Sequence, residues 1–481
     1  MNSLTEGVVI GVDVGTSGVR ALAATAEGEV LADARAALID LPAAGSAHEQ
    51  DANGWWRAVC NTLQDMLKTL RGGQKAAPIA GIAVTSTSGS LVLADSQGRP
   101  VRAAMLYDDG RAGAVANLLN AKLSPSQDPI NASHSFAKAL WVRQEEPAVW
   151  AHACHILHPA DWLTGKLTGQ FGVTDYSNAL KLGYEPQKRA WAEAVERAEI
   201  PASMLPRMVA PGEQVGTVSL PASHETGLAS GVPVLAGASD GLASLVGSGA
   251  SQAGHANTTL GTTLVWKVLC TSKPQLGPGM YCHLHPSHLW APGAASNTGP
   301  GSLRMDDPTL DAAEMDRRAA SYLPSSTSCF LLGKRGERFP FLNPQAQAFV
   351  DGKVANPNEW HAAQLQSLAC VERWGYERLQ ACGVQVGDEV FSAGSAAASP
   401  VLSQLRANVL NRNVVLGAHP TASFGAAILA AGTTFYAGEV AMAIRRMTRV
   451  VQSHGPQPDA VGKFADAYHA FRAACARRGY D

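Results

Sequence analysis

A short loop near the start of the chain contains the first residues that could bind a charged ligand. Asp13, Gly15, Thr16 and Ser17 belong to the segment Asp-Val-Gly-Thr-Ser-Gly, which ends the apolar run VVIGV. Glycine lets the backbone approach a ligand closely, and consecutive N–H groups of such a turn can bind phosphate oxygens. The two hydroxyls add donors, and the Asp13 carboxylate suits a hydrated Mg²⁺. The pattern indicates a phosphate site, although the same residue types are common in ordinary hairpin turns.

A second loop has the same chemistry in the later half of the chain. Gly261, Thr262 and Thr263 lie between the strand-like runs HANTTL and LVWKVL. Two hairpins of this kind could hold a polyphosphate from both sides. Neither loop contains the Gly-Lys-Ser/Thr sequence of a Walker A phosphate loop. The recurrence strengthens the phosphate-binding hypothesis for both loops.

A single carboxylate follows another apolar run. Asp240 comes directly after VPVLAGAS and before Gly241, so its side chain can project from the end of a strand. Asp-Gly pairs are also frequent in turns, and an aspartate here could serve only as a helix N-cap. From the residue types alone, Asp240 could be either a catalytic carboxylate or a helix N-cap.

The elements that would position these residues follow an α/β pattern. Three strand-like runs occupy the first forty residues, and Asp51 and Asn53 precede a helical pattern. Residues 134–197 have a mostly helical pattern. After residue 247 the strand, Gly-Thr-Thr turn and strand recur, and a late strand runs into a small-residue loop. The sequence predicts a duplicated α/β architecture with a central cleft between two lobes, residues 1–247 and 248–481, the last helices being candidates to pack back on the first lobe.

Six segments resemble, in the right order, the FGGY carbohydrate kinases of the actin-like, ribonuclease-H-like superfamily. They are GVDVGTSGVRA, HEQDANGWW, LVLADSQGRPVRAAMLYDDGR, LAGASDGLASLVGSG, TTLGTTL and ASFGAAILAA. The resemblance extends from Val9 to about Gly432, and one departure is Tyr107, where the family usually has Trp. It implies a two-lobed actin-like sugar kinase, with the sugar in the first lobe and ATP in the second. Asp13 would hold Mg²⁺ through water.

The resemblance also assigns Asp240 as the general base. A carboxylate of pKa about 4 cannot hold a sugar hydroxyl as a stoichiometric alkoxide. In a loose phosphoryl-transfer transition state it need only orient the hydroxyl and accept the proton late. Positioning and charge neutralisation would supply the rest of the rate enhancement.

The expected adenine loop departs from the family pattern. The family usually has Gly-Gly-Gly-Ala after a late strand, whereas this chain has Gly394, Ser395, Ala396 and Ala397. Gly394 still permits a close backbone approach. The resemblance therefore implies nucleotide binding at Gly394 and Ser395. Weaker adenine affinity, a shifted nucleotide preference and a catalytically silent sugar-sensing protein remain alternatives.

The expected sugar loop departs as well. Thr85–Gly89 reads Thr-Ser-Thr-Ser-Gly where xylulose and gluconate kinases usually have a Gly-Gln-Met-His-like segment. The segments TSTSGSLVLAD, TDYSNALKLGYEP, APGAASNTGPGSLR and RGERFP instead resemble the D-ribulose kinases of cyanobacteria and plants. The resemblance implies conversion of D-ribulose to D-ribulose 5-phosphate, with a D-xylulose or other polyol kinase as the alternative.

Several residues are candidates for sugar contact by the same resemblance. Ser88 and Asp240 come first, followed by Lys138, Asp109 and Asn297. For Lys138 and Asp109 a solvated or salt-bridged surface position is the other interpretation.

Composition and charge exclude other classes of protein. The 481-residue chain is 46% hydrophobic and 16% charged, with a formal net charge of −2 and no run of like charges. Binding to nucleic acid or a membrane surface would require a basic patch. The sequence has neither a secretory signal pattern nor Cys-x-x-Cys, which predicts a cytoplasmic protein with free thiols. We expect His283, His285 and His288 to form a polar hairpin rather than a zinc site, since no acidic partner accompanies them.

Overall fold

The chain divides into two compact units. The computed structural model describes residues 7–42, 45–73, 77–122, 129–304 and 311–481. The first unit comprises Met1–Gly247 and Thr421–Thr448, and the second comprises Ser248–Pro420 and Arg449–Asp481. Each unit is built on its own mixed β-sheet.

The strands and helices are numbered along the chain. The strands of the first unit are β1 (Val8–Val14), β2 (Gly18–Thr25), β3 (Val30–Ala37), β4 (Glu49–Gln50), β5 (Ile79–Ser86), β6 (Val92–Ala94), β7 (Ala104–Met105), β8 (His155–Leu157), β9 (Val173–Asp175), β10 (Tyr184–Glu185), β11 (Ala190–Trp191), β12 (Arg207–Val209), β13 (Gln214–Thr217) and β14 (Pro233–Leu235). Those of the second unit are β15 (Ala256–Leu260), β16 (Leu264–Val268), β17 (Met280–Leu284), β18 (Trp290–Ala295), β19 (Ser328–Phe330), β20 (Phe349–Asp351), β21 (Glu389–Ala393), β22 (Asn413–Gly417) and β23 (Val450–His454). The first α-helices are α1 (Ala52–Gly72), α2 (Gly113–Asn120), α3 (Ser135–Glu145), α4 (Pro147–Trp150), α5 (Pro159–Thr168), α6 (Tyr176–Ala179), α7 (Glu193–Arg197), α8 (Leu220–Thr226) and α9 (Asp240–Ser248). The later ones are α10 (Ala312–Ala319), α11 (Pro357–Ala381), α12 (Pro400–Leu410), α13 (Ala422–Thr434), α14 (Val440–Met447) and α15 (Pro458–Ala476).

The sheet of the first unit has the strand order β13-β14-β5-β1-β2-β3. The strands β1, β2 and β3 form an antiparallel meander, as their apolar runs and short turns predict. The strands β5 and β14 add to it in parallel, and β13 is antiparallel to β14. Because β1, β5 and β14 run in the same direction, their carboxyl ends meet at one edge of the sheet.

The sheet of the second unit repeats this plan. Its order is β17-β18-β16-β15-β21-β22-β23. The strand β15 is antiparallel to β16 and parallel to β21, β22 is parallel to β21, and β23 is antiparallel to β22. The strands β15, β16, β21, β22 and β23 thus have the same relative directions as β1, β2, β5, β14 and β13 in the first sheet. The predicted duplicated α/β architecture is confirmed.

Helix α1 packs on the meander of the first unit. It begins where the sequence predicts, because the side chain of its N-cap Asp51 accepts a hydrogen bond from Asn53 N–H. Its buried face includes Trp55, Val59 and Leu63, and the helix lies against β2 and β3. Apolar residues at helical spacing therefore place the core of this unit between α1 and the sheet.

Helix α13 packs on the opposite side through small residues. A Cβ on Gly11 would lie 1.9 Å from Ser423 O, and one on Gly425 would lie 1.8 Å from Ala243 O. Glycine is therefore required where α13 meets β1 and α9. The late helices divide, because α13 and α14 group with the first unit and α15 with the second. No helix within the described residues is long and apolar enough to span a membrane.

Residues 134–197 are less helical than predicted. The helices α3 to α7 alternate with the short strands β8, β9, β10 and β11. Strand β8 pairs with β6, and β9 pairs with β12. These partners lie far away in the sequence, so the local pattern gave no sign of them.

Candidate active site

Three segments of the first unit bring Asp13, Ser88 and Asp240 to the same edge of the sheet. Asp13 is the next-to-last residue of β1, which pairs in parallel with β5. Ser86 at the end of β5 forms a parallel bridge with Ser239, the residue before Asp240. Ser88 follows two residues after β5. Strand direction and register thus gather the backbones of three predicted site residues.

The Asp13 side chain is half-buried, with its Oδ1 fully buried, and it is repelled by the charge of Asp240. Burial, followed by the Asp240 charge, raises the pKa of Asp13 to about 7, and Arg20 opposes this rise. Asp13 Oδ1 is buried and has no hydrogen-bond partner among the residues that the structure describes. A buried polar atom of this kind is costly unless a ligand or a cation compensates it. The oxygen donors of Asp13 and Asp240 therefore suit a hydrated hard cation.

Hydrogen bonds from two other segments fix the backbone that leads into Asp240. Ser239 N–H donates to Ser177 Oγ over 2.9 Å. Thr85 Oγ1 donates to Ala238 O over 2.5 Å. Ser239 is therefore held by α6, and Ala238 is held by β5. Asp240 itself is the first residue of α9.

Asp175 fixes the orientation of the Ser177 hydroxyl. Its Oδ1 accepts from Ser177 N–H over 2.7 Å and from Ser177 Oγ over 2.5 Å, and its Oδ2 accepts from Asn178 Nδ2 over 2.6 Å. Because the Ser177 hydroxyl donates its hydrogen bond to Asp175, the Ser177 oxygen can accept from Ser239 N–H. Burial, followed by the charge of Asp161, raises the pKa of Asp175 to about 6.

Sequence reasoning assigned no role to Asp175 or Ser177. Both lie in the segment TDYSNALKLGY, which drew attention only by resemblance. The available local signal is an aspartate that precedes a short helix and can act as its N-cap.

Ser88 lies in a tight turn after β5. Its Oγ is buried and has no hydrogen-bond partner within the described part of the chain. Gly89 has a φ of +86°, and a Cβ there would lie 2.2 Å from Ser133 O. Only glycine fits this backbone conformation and this space. The Ser88 hydroxyl is therefore an available donor and acceptor in a fixed turn.

Lys138 is fully buried, so a solvated surface position is wrong for it. Its ammonium group donates to the backbone carbonyls of Gly89, Tyr107 and Ala132. Burial, followed by the charge of Lys181, lowers the pKa of Lys138 to about 7. The side chain therefore connects the Ser88–Gly89 turn with two other loops.

Asp109 is salt-bridged, as one interpretation predicted, but it is buried rather than on the surface. Its Oδ2 lies 2.6 Å from an Arg111 guanidinium nitrogen and accepts from His48 N–H over 3.0 Å. Burial alone would raise the pKa of Asp109, but these hydrogen bonds lower it. The carboxylate is therefore tied to Arg111 and to the segment before α1.

The first predicted phosphate loop is the hairpin between β1 and β2. Gly15 N–H donates to Gly18 O over 3.0 Å. Thr16 is half-buried and Ser17 is exposed. The buried Gln50 side chain supports the loop, because its Nε2 donates to Thr16 O over 2.7 Å. Sequence reasoning missed Gln50, although it lies in the segment HEQDANGWW.

In the second unit, the loop after β15 lies beside the loop after β21. Gly261 N–H donates to Thr263 O over 3.2 Å, and Thr262 is exposed. Gly394 has a φ of +90°, and a Cβ there would lie 2.5 Å from the carbonyl of Leu260. Glycine is therefore required where the two loop backbones meet. The predicted nucleotide-binding residues that gather at this edge are Gly261, Thr262, Thr263, Gly394 and Ser395.

Asn297 also belongs to the second unit, whereas Ser88, Lys138 and Asp109 belong to the first. Its N–H donates to Glu337 Oε1 over 2.7 Å, and its Nδ2 donates to Gly336 O over 2.9 Å. Both amide groups are thus used to hold the RGERFP segment.

The histidine-rich segment around His285 forms the turn between β17 and β18. Ser287 N–H donates to His285 Nδ1 over 3.2 Å. Burial lowers the pKa of His285 to about 3, so its ring is neutral. The described residues contain no group of three His, Cys, Asp or Glu side chains arranged to hold a metal ion.

Comparison with known proteins extends over most of the chain. The N-terminal domain of the FGGY family of carbohydrate kinases matches residues 8–247, and its C-terminal domain matches residues 256–433. The xylulose kinase of Escherichia coli strain K12 is 28% identical over 422 residues, which cover 83% of this chain and 84% of that protein. Among solved structures, a "xyloylose kinase" from Brucella ovis has a TM-score of 0.88 at 22% identity, covering 98% of this chain and 100% of that one. A xylulose kinase from Rhodospirillum rubrum has a TM-score of 0.86 at 24% identity, covering 98% of each chain. With both domains matched in order, the chain belongs to the FGGY family of carbohydrate kinases.

Proposed function

We propose that the chain transfers the γ-phosphoryl group of ATP to a hydroxyl of an open-chain pentulose, with D-ribulose as the preferred acceptor. The observation that carries this proposal is the set of polar atoms at the edge of the first sheet. Asp13 Oδ1 and Ser88 Oγ are both buried without a hydrogen-bond partner in the described residues. Buried polar atoms in folded proteins normally have partners. A polyhydroxylated ligand and a hydrated cation would supply them.

Each group then has a distinct role in the transfer. Asp240 orients the acceptor hydroxyl and takes its proton late in the transition state. The Ser88 hydroxyl binds the sugar, and the loops at Thr16 and Thr262 bind phosphate oxygens. Bound near Asp13, Mg²⁺ would neutralise charge on the phosphates.

D-xylulose is the second candidate acceptor, because the relatives compared above carry the name xylulose kinase. D-ribulose is favoured by the Ser88–Gly89 turn, which has a short hydroxyl where xylulose kinases usually have longer side chains. The two sugars differ in configuration at one carbon. A site that bonds to that hydroxyl can discriminate strongly, because the wrong epimer leaves a buried polar group unpaired.

A coupled ADP-release assay tests the proposal. The purified protein is given ATP, Mg²⁺ and a panel of pentuloses and polyols, with D-ribulose and D-xylulose compared by kcat/KM. We expect D-ribulose to be favoured by about tenfold or more, the effect of one lost hydrogen bond. A tenfold preference for D-xylulose would support the second candidate. A folded protein that releases no ADP with any member of the panel would contradict the kinase proposal and support a sugar-sensing role.

Asp240→Asn is the variant that tests the catalytic assignment. The substitution keeps the shape of the side chain but removes a proton acceptor, so turnover should fall by about two to four orders of magnitude. ATP binding and thermal stability should stay close to wild type. Near-normal turnover in the folded variant would rule out Asp240 as the general base.

A further inference from the structure

We infer that Lys138 is a positioning residue that holds the Ser88–Gly89 turn in the shape that selects the sugar, without contacting the sugar itself. This inference rests on the proposed function, because it concerns how the same site chooses its acceptor. It replaces the expectation, drawn from resemblance, that Lys138 binds the substrate directly.

The hydrogen bonds of Lys138 leave no donor for a substrate. Nζ lies 2.8 Å from Ala132 O and 3.2 Å from both Gly89 O and Tyr107 O. Three carbonyl acceptors around one Nζ match the ammonium form of lysine, which has three N–H donors and no acceptor. All three are used within the protein, and the side chain has no exposed surface. A sugar hydroxyl could bind here only by displacing one of these carbonyls.

The three carbonyls come from separate loops of the first unit. Gly89 follows β5, Tyr107 follows β7, and Ala132 precedes α3, which carries Lys138 itself. Without the ammonium group, the three carbonyl oxygens would lose the donor that they share. Losing a hydrogen bond to a carbonyl is unfavourable, so the loops would separate or admit water. Lys138 therefore determines how these loops fit together.

The turn is also held from its other side. Gly89 lies against Ser133 O, at a distance that excludes any side chain. Lys181 Nζ donates to Ser133 Oγ over 3.0 Å, which ties this segment to the short helical region after Asp175. Gly89 is thus fixed both through its carbonyl, by Lys138, and through its Cα, by Ser133.

Fixing Gly89 fixes the direction of the Ser88 hydroxyl. Ser88 is the preceding residue, and its buried Oγ has no partner in the described chain. A hydroxyl in a mobile turn could adapt to either configuration of a sugar carbon. In a rigid turn it can satisfy one configuration and leave the other unpaired, which is the basis of discrimination.

The test compares Lys138→Met with wild type for D-ribulose, D-xylulose and ATP. Methionine fills a similar volume without donors. We expect KM for the preferred pentulose to rise about tenfold and the ratio of kcat/KM between the two epimers to fall by a similar factor. KM for ATP should change less than about twofold, because the altered turn belongs to the sugar loops.

Two further variants separate positioning from simple stabilisation. Lys267 is an equally buried lysine on β16 of the second unit, with Nζ over the Tyr281 ring at 5.8 Å. Lys267→Met should lower the melting temperature without changing the epimer ratio. Ser88→Ala should itself reduce the epimer ratio, and adding Lys138→Met to it should reduce the ratio little further, because both act through one hydroxyl.

The outcomes distinguish this inference from the proposed function. An unchanged sugar KM and epimer ratio in folded Lys138→Met would overturn the inference while leaving the kinase intact. Fully additive effects of Lys138→Met and Ser88→Ala would also overturn it. If Lys138→Met does not fold, Lys138→Gln, which retains two N–H donors, is measured against the same criteria. A wild-type protein inactive on every pentulose would overturn the proposed function, and this inference with it.

Discussion

At the scale of single residues, the backbone that leads into Asp240, the proposed general base, is held by side chains from other elements. Asp240 can act as a base only if its carboxylate points at the acceptor hydroxyl. The backbone before it is held by Ser239 N–H, which donates to Ser177 Oγ, and that hydroxyl is oriented by Asp175. A chain of two hydrogen bonds thus connects the buried Asp175 carboxylate to Ser239, the residue before the proposed base.

Ser177→Ala tests this connection. The substitution leaves Ser239 N–H without its acceptor and removes one donor from Asp175. We expect kcat to fall by about ten- to a hundredfold with a small change in sugar KM, because positioning is needed in the transition state more than in binding. Steady-state kinetics with the preferred pentulose provide the measurement.

A matched variant controls for loss of stability. Ser367 is similarly buried in the second unit, and its Oγ donates to Cys329 O over 2.6 Å. Ser367→Ala should lower the melting temperature to a comparable degree and leave kcat unchanged. Equal kcat values for Ser177→Ala and wild type would show that the bond to Ser239 does not matter for catalysis.

At the scale of elements, the positions of the two predicted phosphate loops follow directly from strand order. Each loop follows a strand that is antiparallel to one neighbour and parallel to the other. This strand is β1 in the first unit and β15 in the second. The hairpin at Thr16 is supported by Gln50, and the one at Thr262 follows Leu260, which lies against Gly394.

Thr16→Val and Thr262→Val test the two loops separately. Valine is close to threonine in shape but lacks the hydroxyl donor. Each variant should raise KM for ATP by about three- to tenfold and change KM for the sugar less, since one hydrogen bond to phosphate is lost. Titration of ATP at saturating sugar measures the effect. Unchanged ATP dependence in both variants would show that these turns are only structural.

The elements also show which parts of the structure the sequence could predict. The β1–β2–β3 meander, the start of α1 at Asp51 and the two glycine loops have local signals, namely apolar runs, caps and turn residues. The short strands β8 and β9 have none, because they pair with segments that are distant in the chain. Lys138 was recognisable as a candidate, but its partners are backbone carbonyls, which any residue provides. Its role could not be predicted from side-chain types.

At the scale of the whole molecule, each of the two units has its own sheet and its own candidate binding residues. The candidate sugar residues Ser88 and Asp240 belong to the first unit, and the loops at Gly261 and Gly394 belong to the second. We propose that the sugar is bound chiefly by the first unit and the adenine nucleotide chiefly by the second. The fold shared with the xylulose kinases does not decide the acceptor, because one fold can carry sites for different substrates.

Hydrogen–deuterium exchange with one ligand at a time tests this division. A ligand stabilises the segments it binds against local opening by mass action. D-ribulose alone should slow exchange in Thr85–Gly89 and at the start of α9. A non-hydrolysable ATP analogue with Mg²⁺ should slow exchange in 260–264 and 393–398, where the loops after β15 and β21 lie. The hairpin at Thr16 is not compared, because it belongs to the first unit but is proposed to bind the phosphates of ATP. A sugar from the assay panel that is not phosphorylated serves as the control. Protection of 260–264 by D-ribulose alone, with none in Thr85–Gly89, would contradict the assignment of the sugar to the first unit.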